Sequence, residues 1–176
     1  MITQRVRGGE AFTAAHARDD GVWMIRRNDA RRGAPRVLEK RTKLELQTYV
    51  SGKLHELRTL PADWDDAGGG PAAQSVTHVA YRTLDRISDH RTVFPFITPG
   101  EDGSVIFEWR AGRERLEIEF GPDETPYVRY TERSGIAKVS GTLGEEGVGV
   151  EAVRRLLSAL SLRVWVANPA WKRLFA

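Results

Sequence analysis

Between residues 105 and 120 the apolar positions repeat every second residue. Val105, Phe107 and Trp109 alternate with Ile106, Glu108 and Arg110, and Leu116, Ile118 and Phe120 alternate with Glu117 and Glu119. Successive side chains on a strand point to opposite faces, so the pattern predicts an antiparallel hairpin with one apolar face and one wet face. The faces dictate a register. A four-residue loop, Ala111 to Glu114, sets Trp109 opposite Leu116, Phe107 opposite Ile118 and Val105 opposite Phe120. A two-residue loop at Ala111-Gly112 would set Trp109 opposite Glu114 and mix the faces. The apolar face must be covered, and the rest of the chain has to supply the cover.

Helical periodicity flanks the hairpin on both sides. From Leu38 to about Leu60, Leu46, Tyr49, Val50, Leu54 and Leu57 recur at steps of three and four. Pro61 closes this helix, and Pro71 suits the first position of a second helix that ends near His90, with Val76, Val79, Ala80, Leu84 and Ile87 inward. After the hairpin, Tyr127–Glu132 and Ile136–Leu143 read as a third and a fourth strand. A helix near Val150–Leu160 follows, with Val153, Leu156, Leu157 and Leu160 inward. Strands and helices are segregated, so the fold class is α+β: two helices, an antiparallel meander of three to four strands, a C-terminal helix and an aromatic tail, with the helices on one face of the sheet. Residues 38–162 form the single domain, and 163–176, with Trp165, Trp171 and Phe175, the apolar tail.

Residues 1–37 lack that periodicity. Gly8-Gly9, Asp19-Asp20-Gly21 and Arg32-Gly33-Ala34-Pro35 are breakers. Residues 1–43 hold eleven basic and five acidic side chains, a net +6. The remaining 133 residues hold 16 basic and 19 acidic ones, a net −3. A basic arm therefore joins a mildly acidic body. Arginine outnumbers lysine 22 to 5, and its planar fork favours phosphate and carboxylate. Trp23 and Arg26, Arg27, Arg31 and Arg32 are the arm's candidate contacts.

Few chemical motifs survive inspection. The 176 residues contain no cysteine and four scattered histidines, which leaves no thiolate metal site and no cysteine nucleophile. The start, Met1 to Glu10, has no apolar signal core, and no run suits a membrane helix; a cytoplasmic protein without cofactor or metal is expected. Asp63-Trp64-Asp65-Asp66-Ala67-Gly68 begins like a calcium loop, but Ala67 stands at position five and Gln74 at position twelve, where a glutamate is needed. The expected role is an interhelical turn, with Trp64 capping the core and the aspartates capping the next helix. Gly147-Val148-Gly149 mimics a dinucleotide loop without a βαβ unit. Glu108 and Glu117 face each other on the wet side of the hairpin. They are read as a solvated pair offset by Arg110, Arg115 and Arg129, or as a patch for a basic partner.

Leu60-Pro61-Ala62-Asp63-Trp64-Asp65-Asp66-Ala67-Gly68-Gly69, the helix after it, Glu108-Trp109 on a strand and Leu116-Glu117-Ile118-Glu119 on the next resemble a scattered group of uncharacterised bacterial and phage proteins. Their pattern runs Leu-Pro-x-x-Trp-Asp-Gly-x-Gly-Ala, a helix, a Glu-Trp strand and an acidic strand. The likeness covers about residues 57–132; Asp66 replaces the glycine after Trp-Asp, and Gly69 replaces the alanine. It implies one compact module of bacterial or phage origin and carries over no catalytic residue.

The expectation is a non-enzymatic protein-interaction module, a regulatory or inhibitory subunit. Its contacts would be drawn from Trp23, Arg26, Arg27, Arg31, Arg32, Glu108, Glu117, Trp165, Trp171 and Phe175. The alternatives are a nucleic-acid accessory factor that uses residues 5–43, and an enzyme that uses the sheet carboxylates.

Overall fold

The structure is a computed structural model. It describes residues 35–176 apart from 101, 123, 124, 145 and 176, with side chains from 42 onward. Trp23, Arg26, Arg27, Arg31 and Arg32 lie outside the described residues.

Three helices and a five-stranded antiparallel sheet make an α+β fold. Helix α1 is Pro35–Arg58, α2 is Gln74–Ile87 and α3 is Val150–Ala167. The strands are β1 (Phe96–Pro99), β2 (Val105–Ala111), β3 (Glu114–Phe120), β4 (Tyr127–Thr131) and β5 (Ala137–Thr142), and a 3-10 helix covers Trp171–Phe175. Sheet order follows chain order, β1-β2-β3-β4-β5.

The hairpin register is the one dictated by the faces: Val105 pairs with Phe120, Phe107 with Ile118, and Trp109 with Leu116. Pairing runs one step further, to Ala111 and Glu114, so the loop shrinks to Gly112-Arg113. Gly112 has φ 64°. A two-residue hairpin turn with a left-handed first position favours glycine, and its twist matches that of the strands.

Strand β1 has no counterpart in the sequence reading. It is four residues long and ends in a proline, so it carries too little alternation to register as a strand. As an edge strand it tolerates Pro99, because an edge residue can lack the N–H.

Helix α1 starts at Pro35, earlier than Leu38, with the proline at the first position, where its missing N–H costs nothing. Pro71 does not start α2. The helix opens at Gln74 behind Ala73, which has no capping side chain. The Ala72 N–H instead bonds the Leu57 carbonyl at 3.0 Å and ties the connection to the end of α1. On α2 the inward stripe is Val76, Ala80, Leu84 and Ile87 with Thr77 and Thr83; Val79, expected inward, is exposed. Helix α3 runs past Leu160 to Ala167, crossing the expected body–tail boundary at 162/163. Nothing between 161 and 167 breaks a helix. Pro169 is the first breaker, and it pushes Asn168 out of helical geometry (φ −143°, ψ 84°).

The inner sheet face meets all three helices. Phe107, Trp109, Leu116, Ile118, Phe120 and Val128 pack with Leu46, Val50, Val76, Ala80, Leu84, Val153, Leu157 and Leu160 in one core. The irregular segment 91–95 crosses this core between α2 and β1, and side chains satisfy its backbone. Trp165 Nε1 donates to the Arg91 carbonyl at 2.8 Å, and Trp109 Nε1 to the Val93 carbonyl at 2.9 Å. The Val93 N–H donates to Ser161 Oγ at 3.2 Å, and Tyr49 Oη to the Pro95 carbonyl at 3.0 Å. Buried backbone needs such partners wherever a sheet or helix does not provide them. Burial and the nearby Glu56 carboxylate push the Tyr49 phenol up to about 12, so it stays a donor.

The link from β5 to α3 is equally tight. The Thr142 carbonyl accepts the Val148 N–H at 2.7 Å, and a Cβ on Gly147 would run into that carbonyl and come within 2.8 Å of Thr142 Oγ1. Gly147→Ala is expected to cost about 1–3 kcal/mol, the range for overpacking that forces the backbone to move. Urea denaturation measures it, and Gly149→Ala, with open space at its Cβ, is the control.

Candidate functional site

All three α-helices cover one face of the sheet; among the described residues the other face carries no α-helix and is touched at the β1 edge by Phe175 of the 3-10 helix. The strand registers arrange this open face in three ranks. Phe96, Glu108, Glu117, Arg129 and Ser140 form the middle rank, one residue from each strand. Thr98, Ile106, Glu119, Tyr127 and Thr142 form a second, and Arg110, Arg115 and Thr131 a third. Phe96 is 42% exposed and Tyr127 36%. Phe96 leans over the β1 edge toward Phe175, with ring centroids 5.0 Å apart.

Glu108 and Glu117 stand opposite each other, as the hairpin register requires. Water does not bathe them, contrary to the sequence reading. Their side chains are only 14% and 19% exposed, because arginines lie across them. Arg110 pairs with Glu108, its Nη2 at 2.9 Å from Oε2. Arg115 Nη2 lies 3.1 Å from Glu117 Oε2, and Nη1 lies 4.0 Å from Glu108 Oε2. One arginine thus bridges both carboxylates and offsets the repulsion of like charges held opposite each other. Arg129 completes the middle rank beyond Glu117. Three glutamates and three arginines share the face, so it is a mixed surface and not an acidic patch. The cleft between Ile87 and Ser158 and the one between Glu114 and Arg163 are lined by neither Glu108 nor Glu117.

The aromatic tail lies against the body. Trp171 is 1% exposed and belongs to the core, packed edge-on to Phe94 at 5.1 Å and Trp165 at 5.3 Å. It is therefore removed from the set of surface anchors. Trp165 and Phe175 are half-buried, Trp165 against Trp171 and Phe175 against Tyr49 and Phe94. Burial of Phe94 by these rings is what docks the 3-10 helix.

The aspartate loop closes on itself. Asp63 Oδ1 accepts the Gly68 N–H at 2.6 Å, and Asp65 Oδ1 accepts those of Ala67 at 3.0 Å and Gly69 at 2.8 Å. The carboxylates therefore cap their own loop and not α2. Asp63 and Asp66 adopt left-handed φ of 62° and 58°, which aspartate tolerates better than most residues. Trp64 is half-buried and is not among the side chains packed on the core, so it caps less than expected. The N–H groups of Gly69 and Ala67 hold the Asp65 carboxyl below its ordinary 3.8. A depressed folded value means that this stabilisation is complete above 3.8 and is lost as pH falls through the folded value. Asp65→Ala is expected to lower stability at pH 7 and to shrink the difference from the native protein below about pH 3.8. Thermal melts across pH 2–7 read both; a deficit constant to the acid end contradicts the assignment.

One group escaped sequence reading altogether. Glu114 opens β3 with the parity of Leu116 and Ile118, so its carboxylate points to the helix side, where it is 5% exposed. Arg163 of α3 pairs with it, Arg133 Nε reaches it at 3.0 Å, and Tyr130 Oη donates to it at 3.3 Å. Only the parity of position 114 hinted at this; its arginine partners lie 19 and 49 residues downstream.

No group of His, Asp or Glu among the described residues is placed to hold a metal ion, and no described helix is long and apolar enough to cross a membrane. Comparison with family models, curated proteins and solved structures returns no match to the chain.

Proposed function

We propose that the protein is a non-enzymatic interaction module, a regulatory or inhibitory subunit that receives a protein partner on the open face of its sheet. One observation carries the reading: a five-stranded sheet whose helices all lie on one side, with Phe96, Tyr127 and shielded Glu–Arg pairs on the other. Aromatic residues and arginine are enriched at interfaces, and charges already paired cost less to desolvate than free ones. Balanced charge favours a partner of mixed polarity over a strongly basic one, which revises the expectation of an acidic patch.

The test is capture from the native host, with bound proteins identified by mass spectrometry. Phe96→Glu with Tyr127→Glu places charge on the proposed contact, while Leu174→Glu, at a 63% exposed position of the 3-10 helix, is the control. The reading expects a partner retained by wild type and control and lost by the double variant. Equal capture by all three rejects it. A catch dominated by nucleic acid and released by salt would favour the basic segment 5–43 as the functional part.

A further inference from the structure

We propose that the cleft above Glu114 is a binding site for a phosphate-type oxyanion. The cleft, about 550 Å³, lies between the β4–β5 hairpin and α3, and Glu114, Glu132, Arg133, Lys138, Leu156 and Arg163 are among the residues that line it. It is separate from the open sheet face, because Glu114 and Tyr130 point to the helix side.

A buried carboxylate needs counter-charge. Glu114 has more than one: Arg133 and Arg163 both pair with it, one through each oxygen. Lys138 stands on the same rim and pairs with Glu132 at 2.9 Å. Three cations face two carboxylates, so the cleft keeps one positive charge in excess. The arginines are also underused. Arg133 is 77% exposed and engages Glu114 through Nε, and Arg163 is 43% exposed and engages it through Nη1. Part of each guanidinium stays open to solvent at the cleft. Glu114 therefore does for these side chains what preorganisation does for any receptor: it holds two like-charged forks side by side before a ligand arrives. Paired guanidinium forks match the tetrahedral oxygens of phosphate, and charge-assisted bonds of this kind are the strong ones. The Tyr130 and Ser134 hydroxyls donate to Glu114 and Glu132 and help to fix those carboxylates, and Leu156 gives an apolar wall on which the body of a phosphate monoester can rest.

Inorganic phosphate and phenyl phosphate are the probes, titrated at constant ionic strength against chloride and read by NMR at the arginine Nε–H resonances. The site expects saturable shifts at Arg133 and Arg163 and none at Arg154, which pairs with Glu151 on the exposed side of α3. Arg133→Gln changes a mostly exposed side chain, so the fold survives, and binding should weaken about tenfold or more, the loss of one charge-assisted bond. Tighter binding of phenyl phosphate assigns the site to monoesters, and equal binding assigns it to free phosphate. No saturable shift with either probe, or shifts that Arg133→Gln leaves unchanged, overturns the proposal.

Discussion

Trp109→Ala is expected to be the most damaging single substitution in the sheet. The ring is 1% exposed on β2, packed edge-on to Phe107 at 6.0 Å. Truncating a buried tryptophan costs about 3–5 kcal/mol in lost transfer energy and cavity. Its Nε1 also donates to the Val93 carbonyl at 2.9 Å, and an orphaned buried acceptor adds about 1–3 kcal/mol. For a chain of this size each kcal/mol shifts the melting temperature by roughly 2–4 °C, so a fall of more than about 10 °C follows. Trp109→Phe separates the contributions: it keeps most of the ring volume, and its remaining cost reports the hydrogen bond. If Trp109→Phe is as damaging as Trp109→Ala, the polar strap at 91–95 matters more than the cavity. If neither moves the melt, the core is not where the structure places it.

Trp171→Ala comes next and bears on the tail. Its ring is 1% exposed and sits within 5.1–6.1 Å, centroid to centroid, of Phe94, Trp165 and Phe175. We expect a loss of about 3–5 kcal/mol, together with faster amide exchange in Trp171–Phe175, because the 3-10 helix is held by this ring and by Phe175. Trp165→Ala is the comparison. That ring is half-buried, so its loss should cost less even though the bond to Arg91 goes with it. A Trp171→Ala protein of unchanged stability that lost a partner would return the tail to the interface.

These two tryptophans show what the sequence reveals and what it hides. Trp109 was legible because strict alternation on two adjacent stretches fixes both the face and the register, and β2 and β3 follow it residue for residue. Trp171 was not. A short aromatic cluster after the last strong period reads as an interface anchor or, slightly better, as a tail folded back over the core, and the position of Phe94, 77 residues earlier, decides between them. Strand β1 failed for want of length, and the end of α3 was set by Pro169 and not by the fading apolar stripe. At the candidate sites the same limit applies. The register placed Glu108 opposite Glu117, yet their shielding depends on how Arg110 and Arg115 fold across them. Glu114 needed its arginines from another hairpin and another helix before it meant anything. Local periodicity specifies faces; long-range pairing decides which charged groups on those faces are held, and the chain gives no local sign of it.

Hydroxyl-radical footprinting of the protein alone and with its captured partner reads the open sheet face residue by residue. Phe96 and Tyr127 are both solvent-accessible in the free protein, as are Leu162 and Val166 on α3 and Leu174 beyond it. The partner is expected to protect Phe96 and Tyr127 and to leave Leu162, Val166 and Leu174 as reactive as before. Protection of the α3 and 3-10 positions, with Phe96 and Tyr127 unchanged, would contradict docking on the sheet face.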